Sequence, residues 1–306
     1  MKTQPAIVEV VVANDTTAML EARIIQTPVR QVWVRFKKNL AALISMGVIG
    51  LLVIAVLITP VLSPFNGEDI DYESIASEPS LASGHVFGTD SLGRDLFVRT
   101  MEGSRISLLI GLVATVVSLL IGVNYGAIAG YFGGRVDAVM MRLVDILYAM
   151  PFMFFVILLM VFFGRNIYLI FFAIGAINWL DIARIVRGQT LAIKQQAYVE
   201  AAQIYGASHW KIIQRHIVPN LLGVVAVYIT LTIPQVILVE SFLSFLGLGI
   251  QEPMTSLGAL VSDGANEMES YSWMLIFPAT FLSIILFGFN FIGDGLRDAL
   301  DPKQVN

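Results

Sequence analysis

Few side chains in this sequence carry groups capable of chemistry, and their spacing excludes most of what such groups usually do. There are three histidines, His85, His209 and His216, and no cysteine. Without a thiol there is no disulfide framework, thiolate nucleophile or sulfur ligand for a metal. His209 and His216 stand a heptad apart with no carboxylate between them, which does not make a zinc site. Asp90 and Asp95, in GTDSLGRD, hint at calcium, but their spacing is not that of an EF-hand loop. Turn chemistry, with each carboxylate bonded to nearby backbone amides, is the simpler reading. No GxxxxGK[ST] string occurs, so the chain lacks that device for cradling phosphates. No catalytic residue, metal site or cofactor is therefore expected on this chain. One acidic residue stands apart: Glu240 lies inside the apolar run VILVESFLSFLG, where an ionisable group is costly and defaults to a functional candidate.

The elements that must position these residues are membrane spans. Hydrophobic residues make up 57% of the 306 and charged residues 14%, with a mean hydropathy of +0.77. Soluble domains are usually nearer a quarter charged. Most of the chain falls in apolar runs long enough to cross a bilayer, which takes about 20 residues per helix. An all-α polytopic protein is expected, with spans at about 40–62, 107–131, 139–163, 167–185, 220–246 and 272–292. Residues 1–39 read as a tail and 40–306 as one transmembrane domain, and no cleaved signal peptide is evident. Within these spans, Gly122, Gly126 and Gly130 form a small-residue stripe suited to close helix approach. Pro151 falls inside the third span, and Arg142–Asp145 and Asp181–Arg184 are each spaced to pair. Arg165 and Asn166 mark a tight exterior turn, and 247–271 reads as exterior. Of the 19 Lys and Arg, only Arg94, Arg99, Arg105 and Arg165 then fall outside, an asymmetry that places both termini in the cytoplasm.

One polar island interrupts this pattern, about 188–219, and within it Glu200 to Asn220 reads EAAQIYGASHWKIIQRHIVPN. Ala197, Ala201, Ile204 and Tyr205 recur at helical spacing beside Glu200 and Gln203, describing a short amphipathic helix. Gly206 supplies a stop, because glycine turns left-handed cheaply at a helix end. A second short helical turn, Ser208 to His216, carries Trp210, Ile212 and Ile213. Pro219 stands where the next span should begin.

Glu200-Ala201-Ala202, then Gly206, then Pro219 resembles the EAA loop of ABC importer permeases, with His216 where that loop has an aliphatic residue. Phe87 to Leu108, Asp181 to Gly188, Glu240 to Gly249 and Phe291 to Pro302 are similar to the C-type permeases of oligopeptide and dipeptide importers. The resemblance covers the chain from about Arg35 onward. It implies the type I importer permease fold with six spans, in a bacterial cytoplasmic (inner) membrane. It also implies a second homologous permease, two cytoplasmic ATPases that bind ATP and Mg, and an extracytoplasmic peptide-binding protein. No nucleic acid is expected. Glu200, Ala201, Ala202 and Gly206 would couple the spans to the ATPases. Glu240 would either meet a peptide amine in the pathway or be a structural carboxylate held by a helix N-terminus or a hydroxyl. Its closeness to the span's end favours the second. Dipeptides, nickel and glutathione are alternative substrates, and an ion-coupled secondary transporter is the rival class, against which stand the lack of a convincing internal repeat and the few buried charges.

Overall fold

The computed structural model describes residues 28–164 and 167–300. The Arg165–Asn166 turn, most of the tail and the last residues lie outside the described residues. The helices are α1 (Pro28–Phe36), α2 (Leu40–Leu62), α3 (Leu96–Phe132), α4 (Gly134–Ala149), α5 (Phe152–Phe163) and α6 (Ile167–Lys194). There follow α7 (Ala197–Ile204), α8 (His209–Ile212), a π turn (Ile213–Ile217), α9 (Val218–Phe245), α10 (Leu257–Asn266) and α11 (Trp273–Leu300). Among the described residues the only extended pairing is an isolated bridge between Thr89 and Asp95.

Among the described residues four helical stretches are long and apolar enough to cross a membrane: α2, α3, α8 through α9, and α11. A fifth is present if α4 and α5, bent by 80°, count as one span. The bend falls inside the span expected over 139–163. Proline donates no hydrogen bond and drives its predecessor out of helical geometry; Met150, at ψ 134°, is extended accordingly.

Other boundaries also move. Helix α3 starts at Leu96, not Ser107, because the Asp95 carboxylate caps it by accepting from the Val98 amide at 2.8 Å. At 37 residues it is roughly 55 Å long, well beyond a hydrocarbon core of about 30 Å. Residues read as loop become helix because Arg99 is buried beside Asp90, while Thr100 and Ser104 bond back to carbonyls one turn earlier. Helix α6 continues to Lys194, and α11 runs unbroken through Gly293 to Leu300. The 247–271 segment contains α10, capped by Ser256. The tail closes with α1, whose Val32 and Phe36 pack against Leu296 and Ala299 of α11.

The glycine stripe of α3 faces α6 of the same chain. A Cβ on Gly122 would meet Ile182 and the Trp179 carbonyl at 2.8 Å, and one on Gly130 would meet Thr190 at 2.7 Å. The expected Arg142–Asp145 and Asp181–Arg184 pairs are replaced by pairing between helices. Arg184 reaches Asp145 at 2.8 Å, and Arg187 grips Asp137 through Nε at 2.9 Å and a second guanidinium nitrogen. Both tie α6 to α4, which local spacing could not foretell.

Candidate functional site

The connection between α6 and α9 is built around α7. Val199 is wholly buried and packs in a cluster with Tyr131, Ile182, Ile212 and Ile217, with Ala202 and Ala207 against its edge. The helix stops in a Schellman turn: Ala207 N–H donates to the Ala202 carbonyl and Gly206 N–H to the Gln203 carbonyl, both at 3.0 Å. Gly206 takes φ +76° with open space around its missing Cβ, so the requirement for glycine is purely backbone. Glu200 is exposed in the first turn, where its charge favours the positive helix end. Ala201 and Ala202 are half-buried.

The stripe of Ala197, Ala201, Ile204 and Tyr205 does not face the body of the protein. Val199 and Ala202 do that, while Ile204 and Tyr205 are 84% and 89% exposed, with Tyr198 and Trp210 half out beside them. An apolar face displayed on a tethered helix suits docking to another surface. The second short helix is not separate either. From His209 it runs through the π turn into α9, and the turn lies where a regular helix would drive the Pro219 ring into the Arg215 carbonyl. The connection between the long helices is thereby shortened to 195–208. Two contacts fasten it to the end of α3: Lys194 Nζ donates to the Tyr131 carbonyl, and the Tyr131 hydroxyl shares a 2.8 Å hydrogen bond with His209 Nδ1.

Glu240 lies toward the other end of the molecule and is completely buried. Its carboxylate accepts from the hydroxyls of Ser256 at 2.6 Å, Ser244 at 2.7 Å and Ser107 at 3.4 Å. Two of these hydroxyls accept in turn from the first amides of α10: Ser107 from Leu257 N–H and Ser256 from Ala259 N–H, both at 3.1 Å. The carboxyl group is thus linked through hydroxyls to the N-terminus of α10. It joins α3, α9 and α10. Removing it would leave hydroxyl donors without an acceptor, at about 1–3 kcal/mol for each buried group. Glu240→Ala should therefore lower the thermal midpoint in detergent clearly more than Glu240→Gln, whose oxygen still accepts. Equal midpoints for the two variants would count against this role.

Next to that junction, the residues before α3 form a fixed knot. Asp90 accepts from the amides of Leu92 and Arg94, and from Arg94 Nε at 2.7 Å. Arg94 then bridges to Glu252 at 2.8 Å. Burial works against the Arg94 charge, but its hydrogen bonds to Glu252 and Asp90 outweigh that and raise its pKa above the ordinary arginine value. Asp95 caps α3 with one oxygen and holds His85 Nδ1 at 2.9 Å with the other. Trp273 of α11 donates to the Thr89 carbonyl at 3.3 Å.

Residues 122–306 match the family described as binding-protein-dependent transport system inner membrane component. The chain belongs to this family of transport permeases. Residues 27–79 match the N-terminal transmembrane domain of oligopeptide transport permease C. Among similar proteins, the permease is 57% identical to the oligopeptide transport system permease protein OppC of Haemophilus influenzae, over 88% of this chain and 87% of that protein. Identity is 59% to OppC of Escherichia coli, over 88% and 89%. It is 46% to the dipeptide transport system permease protein DppC of Bacillus subtilis, over 89% and 84%. The permease is accordingly a multi-pass membrane protein.

Its sequence announces Gly206 and the turn residues Asp90 and Asp95, but not Ser107, Ser256, Tyr131 or His209 as contact residues. Ser256 and Ser107 acquire their roles only through partners 16 and 133 residues away. Reversing charge in the knot tests its rigidity. Arg94→Glu would place a third carboxylate between Asp90 and Glu252, and Asp95→Arg would remove a cap worth about 1 kcal/mol and set a cation against His85. Both should cut membrane yield or peptide uptake severalfold, whereas Glu73→Lys on the exposed arm should not. Normal expression with normal uptake in both knot variants would mark the segment as a passive linker.

Proposed function

We propose that the permease forms half of an oligopeptide pathway in an ATP-driven importer. The observation that carries this reading is 57–59% identity to oligopeptide permeases over nearly nine-tenths of the chain. The apolar display of α7 supports it, since a partner that pushes on this helix moves α3, α6 and α9 together. In this reading the chain spans a bacterial inner membrane six times with both ends in the cytoplasm. It pairs with a second homologous permease and receives peptide from an extracytoplasmic binding protein. Two ATPases bind ATP and Mg and seat α7, with Glu200, Ala201, Ala202 and Gly206 shaping the docked element; this chain itself binds no cofactor and hydrolyses nothing. Glu240 serves the pathway indirectly, by fixing α10 at its mouth. Dipeptides and glutathione, carried by more distant relatives according to their names, are the second substrate reading.

The test is peptide uptake by the complete importer in proteoliposomes. Uptake should require internal ATP and persist when an ionophore collapses the proton gradient. Uptake that follows the gradient and ignores ATP would identify a secondary transporter instead. Competition between a pentapeptide and a dipeptide then ranks the substrates.

A further inference from the structure

The first described helix has no part in this mechanism, yet its position and charge are well defined. Helix α2 is 23 residues long, roughly 35 Å, close to the thickness of a hydrocarbon core. Its first residue, Leu40, therefore marks the boundary between hydrocarbon and headgroups. Helix α1 ends at Phe36, four residues earlier, and must lie in the headgroup layer. Val32 and Phe36 clamp it to the end of α11, which fixes the opposite face outward. Trp33 and Val34 are each nearly half exposed, and Leu40 and Ile44 at the start of α2 expose apolar side chains too. Tryptophan is favoured at this depth, with its ring in the acyl boundary and its polar edge outward.

Charge completes the picture. Arg30, Arg35, Lys37 and Lys38 fall within nine residues, and no acidic residue occurs from 22 to 67. Arg30, Lys37 and Lys38 are exposed. Among the described residues none of these three forms an ion pair with a carboxylate, although Asp294 and Asp298 stand on the same end of α11. The Lys37 ammonium sits 5.2 Å above the Trp33 ring, which stacks on Phe36 with ring centres 5.8 Å apart. A cluster of cations beside an interfacial tryptophan, at the mouth of a span, has the form of a site for anionic headgroups.

We propose that α1 binds anionic phospholipid of the leaflet it borders, Trp33 and Val34 entering the acyl boundary while Arg30, Lys37 and Lys38 meet the headgroup phosphate and its net negative charge. This stands on the helix's place at the end of a span, independently of which substrate the pathway carries. The full-length chain in nanodiscs of mixed phosphatidylglycerol and phosphatidylcholine provides the test. Lipid retained after mild detergent extraction, counted by native mass spectrometry, should favour phosphatidylglycerol. Each charge removed in Arg30→Gln, Lys38→Gln and the double variant should lower that preference by about fivefold. An intact preference in the double variant overturns the proposal. Should the variants insert poorly, the wild-type chain decides. Quenching by brominated phosphatidylglycerol that disappears in Trp33→Phe should exceed quenching by the brominated phosphatidylcholine. Equal quenching by the two lipids overturns it too.

Discussion

Replacing Gly126 with leucine is expected to abolish recovery of the assembled transporter. A Cβ at this position would fall inside contact distance of the Ala183 carbonyl oxygen and 2.9 Å from both the Arg187 nitrogen and the Val186 Cβ. Two of those atoms are backbone, so no rotamer change relieves the clash and α3 and α6 must separate. Separation strips contacts from Gly122 and Gly130 as well. It also loosens the grip of Arg187 on Asp137 and the Ser118 hydrogen bond to the Gly175 carbonyl at 2.9 Å. Overpacking of even one or two methylenes costs about 1–3 kcal/mol, so alanine should reduce yield and thermal stability while leucine should leave almost no folded protein. Gly50→Leu is the matched control, because nothing lies within 4 Å of a Cβ there. The measurement is membrane yield, monodispersity and co-purification of partner subunits. A leucine variant recovered at the wild-type level would show that the two helices do not need this approach.

That stripe shows what could be read in the sequence and what could not. Glycines at every fourth position announce a close helix contact, since spacing alone puts them on one face. Which helix fills it depends on the whole packing, and the sequence leaves open a helix of this chain or of a second permease. Helix α3 illustrates the opposite failure. Arg99, Glu102 and Arg105 look like loop residues, yet a carboxylate cap at Asp95 starts the helix before them, and Asp90 stands 3.4 Å from Arg99 to balance its charge. Pro151 is visible at once, but whether a proline kinks a span or breaks it depends on its neighbours, and here α4 and α5 part by 80°. In α7 the amphipathic period is legible while its direction is not. Periodicity finds an apolar stripe; only Val199, buried on the other side, reveals that this stripe looks outward.

Gly206→Val is expected to leave the permease inserted and folded while cutting ATP-driven peptide uptake by on the order of tenfold. The glycine stands at φ +76°, a conformation that costs a non-glycine residue about 1–3 kcal/mol, and a β-branched one the most. No atom lies within 4 Å of its missing Cβ, so a side chain would clash with nothing in this chain. The damage must then come through the Schellman turn, whose loss frees the end of α7 and redirects Ile204, Tyr205 and Trp210. This makes an ordered prediction. Asparagine, which tolerates left-handed geometry, should be nearly silent, alanine intermediate and valine worst. A packing or docking-surface role for the position would instead rank the variants by size, with asparagine no better than valine. Glu200→Ala, which loses about 0.3–1 kcal/mol of charge–dipole interaction, should reduce coupling more mildly than valine at 206. Uptake and peptide-stimulated ATP hydrolysis in reconstituted complexes read the coupling, and co-purified ATPase separates weak docking from docking without transmission. Full coupling in the valine variant would remove Gly206 and its turn from the path by which force reaches the spans.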